Sequence, residues 1–152
     1  MAQEKWSQWF PLRNPNFKEI QEKAAGVYEI KWAVDGKPQP INRTNGIDES
    51  GLLYIGQSSN LQRRIKGLWQ HITGGKSRHT AGRTYTTYHY ERKFPPEQLE
   101  VRWALLSKEQ CPKVESKLLD EYVNNFLDKP PLNLSIKRTK IPFNIAGSYT
   151  TR

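Results

Sequence analysis

Gly26-Val27-Tyr28-Glu29-Ile30-Lys31-Trp32-Ala33-Val34 is the stretch that decides the fold. Tyr28, Ile30, Trp32 and Val34 alternate with Val27, Glu29, Lys31 and Ala33, the period of two expected of a strand with two distinct faces. Upstream, Phe17, Ile20 and Ala24 recur at helical spacing behind a capping Asn16. They predict a short helix over residues 17–25 that Gly26 ends. Downstream, residues 35–51 are rich in Gly, Pro, Asn, Asp and Ser and read as a long loop. Such loops are uncommon in compact domains and are often functional or mobile. Residues 52–57 follow as a second strand, and two strands adjacent in sequence pair most simply as antiparallel neighbours.

A helix comes next, capped by Ser58, Ser59 or Asn60. Its apolar stripe is Leu61, Ile65, Leu68, Trp69 and Ile72, with Arg63, Arg64 and Lys66 largely off it, and Gly74-Gly75 stops it. Residues 76–93 are dense in Arg, His, Tyr and Thr and give no secondary-structure reading. Residues 99–106 form a third strand, with Val101, Trp103 and Leu105 on one face. A second long helix runs over residues 112–127. Pro112 suits its first turn, and Val114, Leu118, Tyr122 and Phe126 recur every four residues toward the core. Lys129-Pro130-Pro131 breaks it. Residues 1–16 read as an extended lead-in whose Trp6, Trp9 and Phe10 dock on the domain, and residues 135–152 as a basic, irregular tail. The expectation is one α/β domain over residues 1–152, with a small mixed or antiparallel sheet of about three strands flanked by helices.

The chain carries 24 Lys and Arg against 15 Asp and Glu, a formal charge of +9. That excess points to a polyanion, nucleic acid before an anionic membrane. The single cysteine, Cys111, cannot pair within the chain and fits a reducing compartment. It reads as a buried or capping residue rather than a nucleophile. No stretch is apolar enough to span a bilayer, and the first residues lack a signal-peptide core. The reading is a soluble, cytoplasmic protein, nucleoid-associated if bacterial, with no membrane partner.

Gly26-Val27-Tyr28 and Leu53-Tyr54-Ile55-Gly56 together resemble the signature of the GIY-YIG nuclease superfamily. The likeness continues through Gln57-Ser58-Ser59-Asn60-Leu61-Gln62-Arg63-Arg64. It places the family's arginine at Arg64, ten positions after Tyr54. The family's acid on a later helix matches Glu115 in Val114-Glu115-Ser116-Lys117-Leu118-Leu119. An asparagine beyond that helix matches Asn133 in Pro131-Leu132-Asn133-Leu134. The resemblance covers roughly residues 26 to 135. It departs in three places: the segment between the motifs is much longer than usual, Leu68 stands where many members have a histidine, and Gln57 stands where the excision-repair branch has a lysine.

The resemblance implies a metal-dependent DNA endonuclease of restriction, repair or mobile-element type that uses Mg²⁺ or Mn²⁺. Its catalytic set is Tyr28, Tyr54, Arg64 and Glu115, with Glu115 as the metal ligand. Phosphodiester cleavage needs an activated water, charge neutralisation at the phosphate and help for the leaving oxygen. Arg64 suits the phosphate through a bidentate fork. A tyrosine can act as base only as a phenolate, which Arg64 and a metal favour. Tyr28 is taken as base and Tyr54 as positioner of phosphate or water.

His71 is a further catalytic candidate, His79 a weaker one and His89 the weakest. Arg63, Lys66, Arg78, His79, Arg83 and Asn133 are assigned to nucleic-acid binding, Arg83 also as an alternative to Arg64 at the phosphate. Lys137, Arg138 and Lys140 would add non-specific affinity. One active site makes one nick, so cutting a duplex calls for a homodimer or two successive events. The rival reading is a non-catalytic nucleic-acid-binding module on the same fold.

Overall fold

The computed structural model describes residues 4–75 and 78–133. The elements in chain order are β1 (Phe10–Pro11), β2 (Gly26–Val34), β3 (Lys37–Pro38), β4 (Ile41–Asn42), β5 (Ile47–Asp48), β6 (Leu52–Ser58), α1 (Leu61–Ile72), α2 (Thr80–Thr87), β7 (Leu99–Leu105) and α3 (Gln110–Phe126), with single 3₁₀ turns between some of them. The class is α/β, as expected, and the sheet is antiparallel throughout. Strand β2 lies at its centre, between β6 and β7, and its Tyr28 stands opposite Gly56 on one side and Trp103 on the other. Short β1 pads the outer edge of β7, and β3 pairs with the end of β2 beyond β6.

The alternation read from the sequence sorts the two faces. Tyr28, Ile30 and Trp32 join Leu61, Ile65, Leu68, Ile72, Ala81 and Tyr85 of α1 and α2 in the main core. The opposite face carries Glu29 and Lys31, both buried. Each has a counter-ion on β7: Arg102 Nε donates to Glu29 at 2.7 Å, and Lys31 Nζ lies 3.6 Å from Glu100. The lead-in closes this face as expected. Trp6 and Trp9 lie 4.3 and 4.8 Å from the Arg102 guanidinium, a cation–π arrangement, while Phe10 stacks on Trp103 at 5.2 Å on the opposite, main-core face.

One irregularity lies beside the site. Ile30 pairs with Tyr54 but Lys31 with Leu52, so Leu53 is skipped as a bulge. A bulge places two consecutive side chains on one face. Leu53 and Tyr54 therefore both enter the main core, while Leu52 and Ile55 join Tyr122 of α3 in a second cluster. Tyr54 lies on the same face as Tyr28 by register alone, two residues from Gly56 and opposite Ile30, and the bulge adds Leu53 to that face.

Three elements differ from expectation. The helix over residues 17–25 shrinks to one turn, Phe17–Glu19, with Asn16 accepting from the Lys18 amide as its cap. A segment this short cannot repay helix nucleation, and Lys23 turns away in the left-handed region at φ 66°. Residues 35–51 are a clamp rather than a loose loop, containing β3, β4 and β5. The Asn45 amide donates to Phe126 O at 2.8 Å, the Thr44 amide and hydroxyl donate to Asp128, and Tyr122 OH donates to the buried Asp48 at 2.8 Å. The insertion thus grips the end of α3. Within the segment left unread, α2 forms and packs on α1. A Cβ at Gly82 would lie 2.8 Å from His71 Cγ, so only glycine permits that approach. The tail, with Lys137, Arg138 and Lys140, lies outside the described residues.

Candidate active site

Tyr28 and Tyr54 come from neighbouring strands and lie with ring centroids 5.7 Å apart. Gly56 is the floor beneath them: a Cβ there would stand 2.6 Å from Tyr54 Cε1 and 2.8 Å from Tyr28 Cζ. Gly26 is closed in by the Ala104 carbonyl and by Leu61 of α1. Each motif glycine therefore has a packing reason. One lets the rings settle on the sheet, and the other lets α1 and β7 approach the strand that carries Tyr28.

His79 completes a trio of rings, with centroids 6.2 Å from Tyr28 and 5.8 Å from Tyr54. It is the N-cap of α2, an unusual cap, and its Nδ1 accepts from the amides of Ala81 and Gly82 at 3.1 and 3.4 Å. A ring nitrogen that accepts carries no proton, so the neutral ring holds its proton on Nε2. Nε2 lies 2.7 Å from Tyr28 Oη. His79 is thus a donor to Tyr28 and cannot take its proton. Burial, then the charge of Arg64, then His71 push the His79 pKa down from 6.5 to about 3.

That shift yields a prediction. The unfolded chain binds a proton at His79 near pH 6.5 and the folded chain does not. The stability linked to neutral His79 is therefore whole above pH 6.5 and is lost as pH falls toward 3, by about 1.4 kcal/mol per pH unit. His79→Asn retains an N-cap acceptor without the titration. Denaturant melts should show the stability gap between wild type and variant narrowing from pH 7 to pH 4. A constant gap would contradict the buried, neutral assignment.

The phenols themselves are protonated. Tyr28 is fully buried, and burial followed by the neighbouring Tyr54 raises its pKa well above 10, outweighing Arg64. Burial also raises Tyr54, against the lowering effect of Arg64, and Glu115 raises it further. The expectation that Arg64 would favour a phenolate gives the right sign for its own effect, but desolvation is larger. The same couplings place Arg64, from α1, within electrostatic reach of both phenols and Glu115, from the first half of α3, within reach of Tyr54.

The remaining candidates separate. His71 accepts from the His79 amide through Nδ1 at 3.3 Å, so it braces the segment that carries His79. Leu68, where the resemblance would place a histidine, is buried in the main core. Arg63, Arg64 and Arg78 line a groove of about 930 Å³ beside α1, together with Ser59, Asn60 and His79. Lys66 turns the other way, 5.4 Å over the Phe17 ring, and Arg83 is exposed on α2. Asn133 spends its amide on the free edge of β6, accepting from the Ile55 amide at 3.0 Å and donating to the Ile55 carbonyl at 2.8 Å. It braces the strand that carries Tyr54, where a DNA contact had been expected. His89 is exposed and faces Glu91 at 3.3 Å. Cys111 is buried and donates to Ser107 O, and burial raises its thiol pKa, which fits the non-nucleophilic reading.

Among the described residues no cluster of three or more His, Cys, Asp or Glu side chains could cage a metal. The carboxylate whose charge reaches Tyr54 is Glu115. A lone carboxylate matches the habit of Mg²⁺, which keeps several waters and takes one or two carboxylates. Among the described residues no helix is long and apolar enough to cross a membrane. Comparisons with protein-family models, curated proteins and solved structures return no match.

Proposed function

We propose that this chain is a metal-dependent endonuclease of the GIY-YIG type, hydrolysing DNA phosphodiesters. One observation carries the reading. Two phenols, an arginine, a buried neutral histidine and a carboxylate from five separate elements meet beside a groove whose wall holds three arginines and no carboxylate. A binding surface for DNA needs the arginines. It does not need two desolvated phenols facing a carboxylate.

Arg63, Arg64 and Arg78 hold the backbone by its phosphates, and Arg64, nearest the phenols, fixes the scissile one. Glu115 would hold Mg²⁺ or Mn²⁺, which when bound would supply charge neutralisation at the phosphate and the leaving oxygen. The phenols are close enough to titrate as a pair, so the base is assigned to the pair rather than to one ring. His79 holds Tyr28 by donating to its oxygen, and Arg64 steadies the negative charge once a proton is lost. Water's oxygen bonds to phosphorus, its proton passes to the phenolate pair, one phosphorus–oxygen ester bond breaks, and the leaving alkoxide takes a proton from solvent.

The test is incubation with supercoiled plasmid, hairpin, flap and single-stranded DNA, with Mg²⁺ or EDTA. Cutting is expected only with metal, and its rate should rise with pH through the alkaline range because both phenol pKa values are raised. Binding without cutting on every substrate would instead establish the non-catalytic module. In either case binding should weaken steeply with salt, as phosphate contacts release counterions.

A further inference from the structure

We propose that Tyr88 is a stacking platform for an unpaired nucleobase of the bound strand, a deepening that rests on the nuclease reading above. Tyr88 is the C-cap of α2 and is 58% exposed, one of the large hydrophobics that the described residues leave at the surface. Below, it is well supported. Its ring lies 6.3 Å from Tyr90, which meets Phe94 edge-on at 5.9 Å, and Phe94 meets Trp32 at 5.1 Å. The chain of rings runs from solvent to the central strand. His89 makes this possible by adopting the left-handed region at φ 55°, which brings the rings on either side of it together.

The surroundings are cationic. Arg83, Arg92 and Lys93 are exposed on α2 and the turn that follows, against two exposed acids, Glu97 and Glu91, of which Glu91 faces His89 at 3.3 Å. An exposed aromatic with exposed cations in the same segment is the composition that binds single-stranded nucleic acid, where bases stack and backbone phosphates are neutralised. A duplex hides its base faces, so it offers Tyr88 nothing to stack on. Position fits the same occupant. His79 caps one end of α2 and Tyr88 the other, a separation of about 13 Å at 1.5 Å per residue. A strand whose phosphate lies at Arg64 would thus present to Tyr88 a base a few nucleotides away. The substrate class implied is DNA with an unpaired segment beside the cut: a flap, a splayed end or a single strand.

The experiment uses the full chain in EDTA, so that binding is read without cutting. Fluorescence anisotropy is measured with a labelled single strand, a blunt duplex and a duplex bearing a short flap, for wild type, Tyr88→Ala and Tyr88→Trp. Tyr88→Ala should weaken single-strand and flap binding roughly tenfold and change blunt-duplex binding by less than twofold. Tyr88→Trp should restore single-strand and flap affinity. Because Tyr88 is exposed, unchanged melting temperatures will show that the variants fold. Equal losses on all three substrates would overturn the proposal and indicate a backbone contact, and no loss on any would overturn it outright. A wild type that cuts DNA while Tyr88→Ala binds every substrate normally sinks this inference alone. A wild type that binds no DNA sinks the nuclease reading with it.

Discussion

Glu115→Ala should lose DNA cleavage by at least about 10²–10³-fold, the scale of removing one element of transition-state charge stabilisation. Glu115 is a carboxylate whose charge acts on Tyr54, and the described lining of the groove contains no acid to replace it. Binding should survive, because the groove's cations are untouched and a negative charge has been removed. A gel-shift titration in EDTA beside a plasmid-nicking assay in Mg²⁺ separates the two effects. Mn²⁺ affinity, followed by electron paramagnetic resonance, gives a readout independent of cutting and should weaken in the variant. Wild-type nicking by Glu115→Ala would remove this residue from the site and the proposed mechanism with it.

Gly56→Ala should be nearly as damaging to cleavage, for a different reason. The new Cβ would meet carbon atoms of both phenol rings at 2.6–2.8 Å. Both rings are wedged in the main core, so neither can yield freely. Displacing a reacting group by about 1 Å can lower a rate about 100-fold, and overpacking of this kind costs about 1–3 kcal/mol of stability. The expected result is a folded protein that binds DNA in EDTA but cuts it about 100-fold more slowly. Full activity in a folded Gly56→Ala variant would show that the ring pair is not the base. Gly26→Ala is a poorer probe, since its Cβ would run into the Ala104 carbonyl, which is backbone and cannot turn aside.

Much of the frame was legible because it rests on local rules. Residues 26–34 alternate strictly, so β2 and the division of its faces follow from side-chain period alone. Helices α1 and α3 show their apolar stripes and lie within a few residues of the expected bounds. What failed at this level failed for identifiable reasons. Helix α2 begins at a histidine cap rather than the usual Ser, Thr, Asp or Asn, so no start signal could be read. The insertion has loop composition, but its polar residues are spent on partners more than seventy positions away.

The proposed set of Tyr28, Tyr54, Arg64 and Glu115, and its order, came from the sequence through its family resemblance. Their environment did not. The register that sets Tyr54 on the same face as Tyr28, the choice of His79 over His71 or position 68, and the sealing of β6 by Asn133 are pairings between distant segments. Burial is likewise a property of the assembled core. Sequence gives the sign of a neighbouring charge's effect on a phenol. Only the tertiary structure decides that desolvation exceeds it, because the water removed from each ring depends on everything packed around it.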